Sequence, residues 1–134
     1  MSRSANHDRS TVASTLIYVV DDDEELRLLL EMALRRAGFN VQLFPDAHAA
    51  MTALMISPQR PKVLVTDYDM PGMNGLELVA RIKELAPEVK TLSISGTLEL
   101  PELAEERCQP DRMLPKPFGA TQFLAHIQSI LKEG

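Results

Sequence analysis

In the stretch LVTDYDMPG, residues 64–72, an apolar run is followed by an acid, Asp67, and a few residues later by a proline and a glycine. The run before the acid, KVLVT at 62–66, has the length and the β-branched content of a strand buried on both faces. Pro71 and Gly72 favour a turn and cannot continue the strand. The pattern therefore predicts that Asp67 ends a buried strand and presents its carboxylate at the carboxyl end.

Outward from this stretch, apolar runs of strand length alternate with segments of helical period. The other predicted strands are LIYVV (16–20), FNVQLF (39–44), TLSIS (91–95) and the weaker DRML (111–114). Apolar residues spaced i, i+3, i+4 predict helices within 26–37, 47–54, 78–85 and 123–131, and a weakly signalled one between 97 and 109. Five βα units in a row predict an α/β fold, a parallel sheet with helices on both faces.

Composition narrows the class of protein further. The chain of 134 residues is one domain's worth, and its 45% apolar and 25% charged content is ordinary for a globular protein. The net charge of -5 argues against direct nucleic-acid binding. No apolar run reaches the roughly 20 residues of a membrane span, and the polar first fifteen residues lack a signal-peptide core, so we expect no membrane contact and a cytoplasmic location. Cys108 is the only cysteine, which excludes an internal disulfide.

Doubly wound parallel folds bind ligands at the carboxyl ends of their strands. The polar residues that end or follow the predicted strands are therefore expected along one edge of the sheet: Asp21, Asp22, Asp23, Asp67, Ser95 and Lys116.

Clustered carboxylates repel each other unless a cation lies between them. Magnesium suits such a site because it takes oxygen ligands and keeps room for water and phosphate oxygens. Asp67 is the candidate nucleophile that would attack phosphorus, and Lys116 is the candidate cation that would neutralise phosphoryl oxygens. The Ser95 hydroxyl can donate to a phosphoryl oxygen.

These residues stand in four motifs: VVDDDEELR (19–27), VTDYDMPGMNG (65–75), SISGT (93–97) and LPKPF (114–118). In that order they make residues 16–132 resemble a response-regulator receiver domain of two-component signal transduction, of the chemotaxis-regulator type. The resemblance implies a doubly wound, flavodoxin-like sheet of five parallel strands in the order 2-1-3-4-5. We expect a flexible polar tail over residues 1–15, the receiver domain over 16–132, and no output domain.

The resemblance also implies roles for individual residues. Asp67 would be the phosphoacceptor, and Asp21 and Asp22 the acidic pair that binds Mg²⁺ together with Asp67. Asp69 would add a magnesium ligand through its backbone carbonyl. Ser95 and Lys116 would supply the hydroxyl and the amine of the switch, and the peptide bond from Lys116 to Pro117 would be cis.

The implied function is phosphorelay signalling. A sensor histidine kinase or phosphotransfer protein would donate the phosphoryl group, and the phosphorylated domain would bind a downstream target protein. The domain would be no enzyme beyond catalysing phosphorylation and dephosphorylation of its own aspartate.

The chain departs from the family at Met113, where an aromatic residue usually stands three positions before the lysine. Methionine is flexible and lacks a rigid ring, so we expect the signal to be expressed mainly in the loop that begins at Ser95, Gly96 and Thr97.

Simpler roles compete with these assignments. Asp23, Glu24 and Glu25 are expected to be first-turn acids of a helix, and Asp21 and Asp22 could also be caps. Asp67 could cap a turn, Ser95 could bond its own backbone, and Lys116 could be solvated surface.

A second class of function also fits part of the sequence. DYD at 67–69 satisfies the Asp-x-Asp pattern of haloacid-dehalogenase-like, Mg-dependent phosphohydrolases. Those enzymes resemble one another in placing the nucleophile on their first strand with an acidic pair downstream. Here the acids precede Asp67, which favours the receiver.

Overall fold

The computed structural model describes residues 15–68, 70, 72–96 and 109–133. Five strands run over Leu16–Val20 (β1), Asn40–Phe44 (β2), Val63–Asp67 (β3), Lys90–Ser95 (β4) and Arg112–Pro115 (β5). Four helices run over Glu24–Arg36 (α1), Ala47–Ile56 (α2), Gly75–Leu85 (α3) and Ala120–Glu133 (α4) in this part of the chain. The helix predicted weakly between 97 and 109 lies almost wholly outside the described residues.

The strands form one parallel sheet in the order β2-β1-β3-β4-β5. This confirms the predicted fold class and strand order. The first strand has the predicted bounds, and the other strand bounds agree with the prediction to within one residue. In β3 the difference brings Asp67 into the strand itself, where it pairs with Ile94 of β4.

Side chains alternate between the two faces of the sheet and build two separate apolar clusters. One cluster lies between the sheet and helices α1 and α4, and includes Val19, Val65, Leu114, Leu34 and Phe123. The other lies between the sheet and helices α2 and α3, and includes Tyr18, Leu64, Met51, Leu78 and Ile82. We call these the α1/α4 layer and the α2/α3 layer. The near-continuous burial of β1, β3 and β4 follows from helices on both faces.

A short loop leads from β1 into α1, and both ends of this helix are defined by specific residues. Asp23 is the N-cap of α1, and its Oδ1 accepts hydrogen bonds from the N–H groups of Glu25 and Leu26. At the other end Gly38 has a φ of 96°, which glycine adopts without strain. Asp23 and the two glutamates of the first turn therefore have the helix-start roles that the sequence predicts.

None of the described helices is long and apolar enough to cross a membrane.

Candidate functional site

Asp67 is the last residue of β3 and is 5% exposed. Because Val63, Val65 and Asp67 share one face of the strand, its carboxylate lies over the α1/α4 layer. The backbone on both sides of it is held. The Thr66 hydroxyl donates to the carbonyl of Asp67 at 3.0 Å, and the N–H of Tyr68 donates to Ile94 at 2.8 Å.

Three carboxylates gather at this edge. One oxygen from each of Asp21, Asp22 and Asp67 lies within 4.8 Å of the others. Asp21 is 1% exposed, whereas Asp22 next to it is exposed to solvent. Burial raises the pKa of Asp21 to about 6; the N–H of Asp23 and the Lys116 ammonium oppose the rise, and the charges of Asp67 and Asp22 add to it.

The donor set fits a small divalent cation. Asp21 Oδ1 accepts a hydrogen bond from the N–H of Asp23 at 2.9 Å. The other oxygen, Oδ2, is buried and has no hydrogen-bond partner among the described residues. A buried carboxylate oxygen without a partner, beside two further carboxylates, is the hard oxygen environment that Mg²⁺ prefers.

Lys116 follows β5 and brings its ammonium to the acids. Its Nζ lies 3.6 Å from Asp67 Oδ1, which is ion-pair distance and too long for a good hydrogen bond. Its backbone N–H donates to the carbonyl of Ser95 at 2.8 Å, so the ends of β4 and β5 are joined at the site. The bond from Lys116 to Pro117 is cis, which confirms the expectation from the resemblance.

Ser95 completes the described edge and is 2% exposed. It pairs with Pro115 of β5, and in the alternation of β4 it shares a face with Ser93, opposite to Ile94. Ser95 therefore lies on the α2/α3 face of the sheet. By the same alternation, the α1/α4 face carries Asp21, Asp67 and Lys116.

The structure therefore brings together five of the six site residues that the sequence predicts: Asp21, Asp22, Asp67, Ser95 and Lys116. The sixth, Asp69, lies outside the described residues, as does Thr97 of the following loop. Met113 is half-buried on β5 and pairs with Ser93.

Sequence reasoning did not single out Gly75, the first residue of α3. A Cβ at this position would lie 2.5 Å from the carbonyl oxygen of Asp67 and 2.9 Å from the Cα of Tyr68. The Gly75 N–H also donates to the carbonyl of Tyr68 at 3.1 Å. The helix therefore packs directly on the backbone of Asp67 and Tyr68. The signal available in the sequence was a glycine where a better helix former would be expected.

A doubly wound parallel sheet with a buried acid, an acidic pair, a hydroxyl and a lysine at its carboxyl edge defines a receiver-type signalling domain. The sequence profile of the response regulator receiver domain matches residues 17–128. The chain belongs to the response regulator receiver domain family.

Curated relatives agree with this assignment. The chain is 33% identical over 115 residues to the DNA-binding transcriptional regulator NtrC of Salmonella typhimurium, covering 84% of this chain and 24% of that protein. It is 34% identical over 121 residues to the response regulator MprA of Mycobacterium bovis, covering 89% of this chain and 51% of that protein. The chain thus spans from about a quarter to about half the length of these relatives.

Solved structures show the same fold. The response regulator TrrA from Thermotoga maritima, in complex with Mg²⁺ and BeF, superimposes with a TM-score of 0.76 at 20% identity, covering 87% of this chain and 98% of that one. Profile and relatives are response regulators, and they give no support to the phosphohydrolase alternative.

Proposed function

We infer that this chain is a signalling domain, since receiver domains of response regulators interact with kinases and with downstream effectors. We propose that this chain accepts a phosphoryl group on Asp67 from a sensor histidine kinase or a phosphotransfer protein. The phosphorylated domain then changes its binding to a target protein. The observation that carries the proposal is the buried Asp67 carboxylate with the Lys116 ammonium 3.6 Å away and two further carboxylates within 4.8 Å.

The transfer step follows from this placement. A carboxylate oxygen of Asp67 attacks the phosphorus of the phosphohistidine, and a P–O bond forms as the P–N bond breaks. The electron pair of the broken bond goes to the imidazole nitrogen, which takes up a proton. Lys116 neutralises charge on the phosphoryl oxygens, and the Ser95 hydroxyl donates a hydrogen bond to one of them.

Asp21, Asp22 and Asp67 would hold Mg²⁺, with Asp69 contributing its carbonyl. When bound, the ion neutralises the clustered carboxylates and the negative charge of the transferring group. The buried Oδ2 of Asp21 supports this part of the proposal, since it has no hydrogen-bond partner among the described residues and would be a ligand of the ion. The complex of TrrA with Mg²⁺ and BeF is in line with it.

Finer parts of the proposal rest on the site and on the composition of the chain. The domain catalyses phosphorylation and dephosphorylation of its own aspartate, acts in the cytoplasm, and makes no direct contact with nucleic acid or membrane. The tail over 1–15 and the receiver boundaries at 16–132 stay predictions.

Incubation with phosphoramidate and Mg²⁺ tests the acceptor. This small donor needs only the groups of the site, so intact-mass spectrometry should show one added phosphoryl group on the wild-type chain. Asp67→Asn should show none. Asp111→Asn is the matched control, because Asp111 lies before β5, at the amino ends of the strands and away from the site. Its carboxylate accepts hydrogen bonds from the N–H and the hydroxyl of Thr91. An adduct of unchanged stoichiometry in Asp67→Asn would overturn the assignment.

A further inference from the structure

Arg27 is the last residue of the motif VVDDDEELR and is not one of the groups to which the proposed transfer step is assigned. Its Nη1 donates a hydrogen bond to the backbone carbonyl of Asp21 at 2.7 Å, in a partly buried position. We propose that Arg27 is a positioning residue, which fixes the peptide group between Asp21 and Asp22 and thereby sets the affinity of the acid pair for a divalent cation. This inference rests on the proposed function, since it concerns the same cation site.

The helix brings Arg27 to this position. α1 begins at Glu24, and the N–H of Arg27 donates to the carbonyl of Asp23 at 3.0 Å, the first backbone bond of the helix. Helical side chains lean towards the N-terminus, so a long side chain at this position extends back over the loop from β1. The guanidinium thus reaches a residue six positions earlier.

The contact acts on the geometry of both acids at once. The carbonyl of Asp21 and the N–H of Asp22 belong to one planar peptide group. A bond that holds this carbonyl therefore restricts rotation of the whole peptide group. Such a rotation would move the Asp22 carboxylate relative to the Asp21 carboxylate. Asp22 is exposed, so the orientation of its backbone decides whether its carboxylate faces the cluster.

The bond from Arg27 adds to two other hydrogen bonds that hold Asp21 in the described part of the chain. The N–H of Asp21 donates to the carbonyl of Phe44 at 3.1 Å and ties the residue to β2. Its Oδ1 accepts from the N–H of Asp23 at 2.9 Å. These two bonds fix the incoming backbone and the side chain, and Arg27 fixes the outgoing peptide group.

A purely electrostatic role for Arg27 predicts the opposite result. A guanidinium close to a cation site repels the cation, so removing the charge should strengthen binding of Mg²⁺. Loss of positioning should weaken it. The sign of the change therefore separates the two explanations.

Titration of the full chain with Mg²⁺, followed by amide NMR shifts of residues 21–23 and 68, provides the test. We expect the Kd of Arg27→Met to rise about tenfold, the lower end of the range for losing a group that orients a metal ligand. Arg27→Lys keeps the charge and a donor and should recover part of the affinity. Arg36→Met is the matched control, because it removes the same charge from an exposed position on the same helix, and should bind like wild type.

A second readout excludes general damage to the fold. At saturating Mg²⁺ the rate of phosphorylation by phosphoramidate should return to within about twofold of wild type in Arg27→Met, since the loss is in affinity. An unchanged or lower Kd in Arg27→Met, or a rate that stays low at saturation, overturns the positioning role. If the wild-type chain binds no Mg²⁺, the magnesium-dependent part of the proposed function is wrong, and this inference is wrong with it.

Discussion

Replacing Asp21 by asparagine should stabilise the metal-free protein. Asparagine has the same shape and keeps an oxygen that can accept the hydrogen bond from the N–H of Asp23, but it carries no charge. In the folded protein burial raises the pKa of Asp21 from 3.8 to about 6. The charged carboxylate beside Asp67 and Asp22 is therefore destabilising at neutral pH.

The size of the effect follows from proton linkage. The folded state binds the proton of Asp21 up to about pH 6, whereas the unfolded state releases it near pH 4. Stability of the wild-type protein therefore falls as pH rises between these values, and the loss is complete above about pH 6. At about 1.4 kcal/mol for each pH unit between the two pKa values, the loss is roughly 3 kcal/mol at pH 7.5 and under about 1 kcal/mol at pH 4.

Urea unfolding followed by circular dichroism, with a chelator present, measures this difference. Asp21→Asn should be more stable than wild type by about 2 to 3 kcal/mol at pH 7.5, and the gain should shrink to under about 1 kcal/mol at pH 4. Asp46→Asn is the matched control, since Asp46 caps α2 from an exposed position and asparagine caps equally well. Equal stability of Asp21→Asn and wild type at pH 7.5, or a gain that does not depend on pH, would refute the reasoning.

Two further predictions concern the backbone around the site and the switch. Gly75→Ala should destabilise the fold by roughly 1 to 3 kcal/mol and slow phosphorylation, because its Cβ would collide with the carbonyl of Asp67. Urea unfolding and mass spectrometry measure the two effects. Gly119→Ala is the control, since a Cβ there meets nothing within 4 Å. Met113→Ala should leave the amide shift changes of Ser95 and Gly96 on adding beryllofluoride and Mg²⁺ unchanged, since a half-buried, flexible side chain forms no rigid relay. Loss of those shifts in a variant that still binds beryllofluoride would contradict this expectation.

The sequence predicted the sheet because its strands are short apolar runs and most of its helices show apolar residues at helical spacing. It also predicted the edge where the acids meet, since that edge follows from parallel topology alone. It could not separate Asp21 from Asp22. The two residues are chemically identical neighbours, and only the tertiary packing buries one and exposes the other.

Two contacts were also beyond sequence reasoning. The approach of Gly75 to the carbonyl of Asp67 depends on how closely α3 packs against the end of β3. The bond from Arg27 to the carbonyl of Asp21 depends on the path of the backbone between β1 and α1. Each contact is made to a backbone carbonyl oxygen, and the sequence does not distinguish one such oxygen from another.

The alternation of side chains across the sheet has a consequence for genetics. Asp21, Asp67 and Lys116 are rooted over the α1/α4 layer, and Ser95 over the α2/α3 layer. Substitutions in these two interiors should therefore sort into separable phenotypes. Substitutions in the α1/α4 layer, such as at Leu114, should alter the rate at which Asp67 is phosphorylated. Substitutions in the α2/α3 layer, such as at Leu64, should alter how the phosphorylated state changes binding to a target.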